Sequence, residues 1–182
     1  MKARKVKRLR PEEPLAVNAG RIIRTRLDEL RSFAPDALDG DPDEQHDMRI
    51  AAKRLRYVLE VSGFCFGAPA DNARRRARDL QEVLGELHDC DVMLPRVAEH
   101  AASIRGQDAA AVRLLAGDAA DLEPALAAKA PNRTAYRGLG LLAVHLEARR
   151  ALLFDRFVEL WGDLEREQVW TELERAIERE LD

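Results

Sequence analysis

Four side chains at helical spacing offer the first chemistry in the chain. His46, Arg49, Lys53 and Arg56 recur at intervals of three and four residues, so on an α-helix they share one side, with Tyr57 at its edge. They cover roughly 15 Å of helix axis. Met48, Ala51, Ala52, Leu55, Val58 and Leu59 fall on the opposite side. On the cationic side of the helix no acid is interleaved among the four before Glu60. Like charges at these spacings repel by a few tenths of a kcal/mol per pair, so a helix shaped for stability alone would carry glutamates there. Unmatched cations in a row suit a ligand with many negative charges, and the nearby helix N-terminus adds positive potential.

A second cluster, Arg74, Arg75, Arg76 and Arg78, follows on the next predicted helix. Arg74, Arg78, Gln81, Gly85 and His88 lie along one side of it. A short turn joins the two helices, which makes them antiparallel neighbours whose basic sides can form one groove. Gly85 in mid-helix costs about 1 kcal/mol relative to alanine and leaves room for a close approach by a helix or a ligand. Arg26, Asp91 and Arg150 occupy positions where the apolar repeat calls for a hydrophobic residue. Inward charges are expensive unless paired, so Asp91 is expected to pair with one or both arginines and to steer an arginine toward the anion.

Catalytic constellations are thinner. His46-Asp47 and His88-Asp89 are the dipeptides that metal-dependent helical phosphohydrolases use, but adjacent helical residues point about 100° apart. His100 and His145 have no recognisable context, and Ser32, Ser62 and Ser103 lack a nucleophile elbow. No catalytic residue, metal ligand or cofactor is assigned.

The elements that must position these residues read as helices throughout. Leu15, Ala19, Ile22, Arg26, Leu30, Phe33 form one stripe; Met48, Ala52, Leu55, Leu59 a second. Ala73, Ala77, Leu80, Leu84, Leu87, Asp91, Leu94 form a third, and Leu139, Ala143, Leu146, Arg150, Leu153, Phe157, Leu160 a long one. No stretch alternates at period two. Pro35 and Gly40 break the first helix; Asp41 caps the second, with Pro42 at its first position and Asp43 and Glu44 in its first turn. Residues 63–70 read as a turn, with Asp71 capping the third helix and Pro95 kinking or ending it. An Ala-rich fourth helix is expected over roughly 107–129, a fifth from Pro131, and an acidic sixth beyond Gly162. The expectation is an all-α, antiparallel bundle of about six helices: a single domain over residues 11–182 behind a flexible basic tail at 1–10.

Composition bounds the function. The 182 residues are 46% hydrophobic and 5% aromatic, which supports a real core and argues against a β-sandwich. No apolar run is long enough for a membrane span, and the basic start leads into no apolar stretch of a secretory signal. Two lone cysteines, Cys65 and Cys90, exclude a disulfide framework and make a reducing cytoplasm the expected setting. The net charge of −3 conceals an uneven layout: residues 46–78 carry eight bases against three acids, and residues 155–182 ten acids against four bases. A cationic centre between acidic flanks fits an anionic ligand at one place. Of 30 basic residues 25 are arginine, whose planar fork suits phosphate.

The run H-D-M-R-I-A-A-K-R-L-R-Y at residues 46–57 closely resembles the signature helix of the conserved histidine α-helical domain, the CHAD family. L-Q-E-V-L-G-E-L-H-D-C-D-V-M at 80–93 resembles that family's leucine–glycine plus acidic motif, and L-R-P-E-E-P-L at 9–15 resembles its opening. The resemblance implies an all-helical, non-catalytic protein that binds inorganic polyphosphate. It assigns contact to His46, Arg49, Lys53, Arg54 and Arg56, and the neighbouring Tyr57, Arg74, Arg75 and Arg78 extend the same basic surface. Asp89 and Asp91 match acidic positions expected to hold arginines in place. The family pairs two helical units, whereas this chain has one signature helix, so the site is expected to be an open groove or to be completed by a homodimer. Alternative readings are a nucleic-acid-binding helical protein, a metal-dependent helical phosphohydrolase and a protein-docking scaffold. The chain is acidic overall and carries no base-reading motif, which disfavours nucleic acid.

Overall fold

The computed structural model describes residues 2–180. Among them are five α-helices and no strand: α1 (Leu15–Leu38), α2 (Pro42–Ser62), α3 (Gly67–Leu115), α4 (Ala135–Arg166) and α5 (Val169–Arg179). Two short 3-10 helices, Gly63–Phe66 and Pro124–Lys129, lie in the connections. No helix among the described residues is long and apolar enough to cross a membrane.

Local chemistry explains most of the starts and stops. Asp41 caps α2 as expected, its carboxylate accepting from the backbone N–H groups of Asp43 at 2.9 Å and Glu44 at 3.2 Å. Elsewhere the boundaries depart from expectation. Pro35 lies inside α1 and Pro95 inside α3, so neither ends its helix. A proline removes one backbone bond, and propagation through the good helix formers on either side outweighs that loss. Residues 63–70 are not an open turn: the 3-10 helix runs directly into α3, which starts at Gly67 (φ +62°) rather than behind an Asp71 cap. The predicted fourth helix is split. Its first part is the end of α3, which stops where Gly117 adopts φ +54°, a left-handed conformation that closes helices and that glycine adopts without strain. Gly162 does not interrupt α4; the break comes at Gln168, with φ +52°.

The contacts group the chain into two compact units, one of residues up to His88 with those from Leu152 onward, the other Asp89–Ala151. In the first, Ile23, Leu27 and Leu30 of α1, Met48 and Leu55 of α2, Leu80, Leu84 and Leu87 of α3, Phe157 and Leu164 of α4, and Trp170 and Leu173 of α5 are fully buried. Each such side chain contributes roughly 1.5–3 kcal/mol by leaving water. In the second, Cys90, Val97, Ile104 and Leu146 are buried. There Asp108 accepts hydrogen bonds from the Asn132 backbone N–H at 3.1 Å, the Asn132 amide at 3.0 Å and the Tyr136 hydroxyl at 2.5 Å, which pins the connection before α4. Burial alone pushes its carboxyl upward; these donors hold it below the usual range.

One buried charge organises the first unit. Glu29 of α1 is 1% exposed. Its carboxylate accepts from Arg26 at 2.7 Å, from Arg54 of α2 at 3.0 Å and from the backbone N–H of Arg4 at 3.2 Å. Arg26 therefore pairs one turn along its own helix, not with Asp91, which corrects the expectation for this residue. The cause is the phase of the stripe: α1 buries Ala19, Ile23, Leu27 and Leu30 rather than the line through Ile22 and Arg26. Replacing Glu29 by alanine strands two arginines in a water-poor setting. We expect a loss of about 3 kcal/mol in urea-induced unfolding, with Glu29→Gln recovering part of it.

Candidate functional site

The polar sides of α2 and α3 meet in three successive contacts. The His46 and His88 rings lie with centroids 4.3 Å apart, tilted by 40°. One turn on, Arg49 lies over Gly85, where an added Cβ would sit 3.4 Å from the Arg49 Nε. Two turns further, Arg56 donates from Nε to the Gln81 side-chain oxygen at 3.0 Å. The paired numbers run in opposite directions, so the helices are antiparallel. The predicted row Gln81, Gly85, His88 is the wall that the α2 cations lie against.

The arrangement leaves part of this row unmatched. Arg49 and Lys53 make no ion pair among the described residues, and the Arg49 Nε and His46 Nδ1 are buried with no hydrogen-bond partner. Lys53 is exposed; its ammonium lies 5.8 Å from the Tyr57 ring centroid, and the Arg56 guanidinium carbon lies 4.4 Å from it. The ring thus lies beside both cations. Arg56 also pairs with Glu60. His46 is held below the usual histidine range, first by burial and then by the charges of His88 and Arg49, so its ring is neutral at pH 7.

The remaining site candidates divide. Arg75 is exposed and unpaired among the described residues; Arg74 has only a 4.0 Å contact to Asp71. Arg78 lies 3.4 Å from Asp79 and 3.7 Å from Glu82. Arg76, in the same cluster, is bound to Glu167 at 2.6 Å. Arg54 turns to α1 and Glu29, a structural commitment that the motif alone did not reveal. Glu29 was missed because it stands beside the apolar Leu30, and nothing in its spacing marks it as inward. In the second unit, Asp91 pairs with Arg150 at 2.5 Å, as expected for one of its two candidate partners. Both are about a quarter exposed, so this is a boundary pair rather than a core one. Asp89 is exposed and holds no arginine among the described residues, contrary to expectation, because two residues past the buried Leu87 it points away from the core. No group of three or more His, Cys, Asp or Glu side chains converges as a metal site among the described residues.

Fold and site together define an all-helical protein in which a row of cations on α2 lies against the polar side of the antiparallel α3. Residues 21–181 match the CHAD domain, so the chain belongs to the CHAD family, whose domain is associated with polyphosphate binding. No curated protein and no solved structure matches the chain.

The partial exposure of the Asp91–Arg150 pair sets its contribution. Asp91→Ala is expected to cost about 1–2 kcal/mol, against the larger cost at Glu29, when both variants are unfolded in urea under one set of conditions.

Proposed function

We propose that the protein binds inorganic polyphosphate, without catalysis, along the α2–α3 groove. The observation that carries this reading is the row of α2 cations against the polar side of α3, with the Arg49 Nε buried and without a hydrogen-bond partner. Several arginines elsewhere are neutralised: Arg21 by Glu13, Arg24 by Glu178, Arg31 by Glu174, Arg76 by Glu167 and Arg150 by Asp91. Within the row, Arg49 and Lys53 stand without carboxylates, and Arg75 extends the unmatched charge along α3. Phosphate oxygens supply the acceptors that the buried Arg49 Nε lacks. A linear polyanion engages several such donors at once, and the groove holds one exposed ring rather than the stacked aromatics expected for bases.

Within this reading His46, Arg49, Lys53 and Arg56 contact the chain, Arg74 and Arg75 extend the path, and Tyr57 and Gln81 orient cations. Arg54 acts through Glu29 to fix α2 against α1. Gly85 keeps space over α3 for the Arg49 guanidinium.

Changing Arg49, Lys53 and Arg56 together to alanine is expected to abolish polyphosphate binding, measured by calorimetric titration, while helicity and Tm stay within a few degrees. Unchanged affinity refutes the assignment. Duplex DNA at equal phosphate concentration is expected to compete weakly; equal competition favours a nucleic-acid role.

The His46 environment gives a pH dependence with a definite sign. In the free protein its ring resists protonation, whereas a bound polyanion favours the imidazolium. Binding therefore takes up protons, and affinity rises as pH falls below about 6.5. Without ligand, the stability from this depressed group is fully present above that pH and is lost as pH drops toward the folded-state value. Titrations at constant ionic strength should show a steeper pH slope for the unmodified protein than for His46→Gln; identical slopes count against proton uptake at this ring.

A further inference from the structure

A second concentration of positive charge lies away from the α2–α3 groove. Residues 2–10 form no helix, yet they are tied to α1 at three places. Arg4 donates its backbone N–H to Glu29 and its guanidinium to the Asp28 carbonyl at 3.2 Å and to Ser32 Oγ at 2.6 Å. The Arg8 carbonyl accepts from the Arg21 guanidinium at 2.5 Å. Arg10 and Asn18 exchange two hydrogen bonds, at 3.0 and 2.7 Å. Between the first two ties, Lys5 and Lys7 flank the half-buried Val6, and Arg8 adopts φ +61°, a left-handed conformation disfavoured for a residue with a Cβ. The bonds at positions 8 and 10 hold that conformation in place.

The outcome is a groove of about 370 Å³ lined by Lys5, Lys7, Arg8, Arg21, Arg24 and Thr25. Glu13 neutralises Arg21, and Glu178 lies 3.2 Å from Arg24. Lys5, Lys7 and Arg8 are exposed and have no carboxylate within ion-pair distance among the described residues. Five cations against two acids leave three charges unmatched. A singly charged ion neutralises only one of them, whereas a condensed phosphate presents several charges within a few ångströms. The lining has no aromatic ring on which a base stacks and no apolar side chain for an acyl chain. We infer that this groove is a second oxyanion site, selective for short condensed phosphates and independent of the α2–α3 groove. The tethers pre-form it, so ligand entry orders only the tips of the two lysines and Arg8.

The test is a calorimetric titration of the full chain with tripolyphosphate at constant ionic strength. Three variants are compared with the unmodified protein: Lys5→Gln/Lys7→Gln/Arg8→Gln, Arg49→Ala/Lys53→Ala, and Arg8→Gly, which removes the charge and accepts φ +61° without strain. Two binding events are expected for the unmodified chain. The triple variant should lose one of them and keep the other within about twofold, and Arg8→Gly should weaken the same event about tenfold. The Arg49→Ala/Lys53→Ala protein should keep the event that the triple variant loses. If that double variant leaves both events intact, the α2–α3 reading falls and this one stands. Unchanged stoichiometry and affinity in the triple variant, or no tripolyphosphate binding by the unmodified chain, overturns the proposal. So does a triple variant that loses affinity only for vesicles of phosphatidylcholine and phosphatidylglycerol.

Discussion

Arg49 lies over Gly85 at van der Waals distance from where a side chain would begin, and the polar face of the molecule is built around that approach. The two antiparallel helices each bury one side, Met48, Ala52 and Leu55 on α2 and Leu80, Leu84 and Leu87 on α3, and this burial fixes which sides are left to meet solvent. On the sides left over, His46 meets His88, Arg49 meets Gly85, and Arg56 meets Gln81. Repulsion among the α2 cations amounts to tenths of a kcal/mol per pair, small beside the burial of several leucines. The core therefore imposes a row of cations that local electrostatics disfavours.

Glu29 shows the opposite treatment of charge. It is fully buried, and three donors from three segments converge on it. A lone carboxylate there would be prohibitive; with Arg26, Arg54 and the Arg4 amide around it, it becomes a tie between α1, α2 and the segment before α1. The charges that converge on Glu29 are matched, whereas Arg49 and Lys53 of α2 and Lys5, Lys7 and Arg8 before α1 have no carboxylate within ion-pair distance among the described residues. That division gives physical content to the membership in a family associated with polyphosphate.

Legibility differed by element. The stripes of α2 and the first half of α3 are buried as the spacing requires, and the Asp41 cap is in place, because these depend on side chains within a few turns. On α1 Ile22 stands beside Ile23 and Arg26 beside Leu27, so two lines one residue apart run between Ala19 and Leu30. The tertiary core selects the second, which turns Glu29 inward. Prolines and glycines were weaker punctuation than their reputation: Pro95 and Gly162 sit within helices, while Gly117 and Gln168, both left-handed, mark real ends.

The amino-acid sequence alone determined the helical class, the second helix with its cap, and the line of His46, Arg49, Lys53 and Arg56, since all follow from the fixed 3.6-residue turn. The tertiary structure decided which cations are spent on carboxylates. Arg54 finds Glu29 across 25 residues, Arg150 finds Asp91 across 59 and Arg76 finds Glu167 across 91. Pairing over such separations depends on how helices are rotated about their axes, a quantity set by the packing of the whole core and carried by no local stretch of chain.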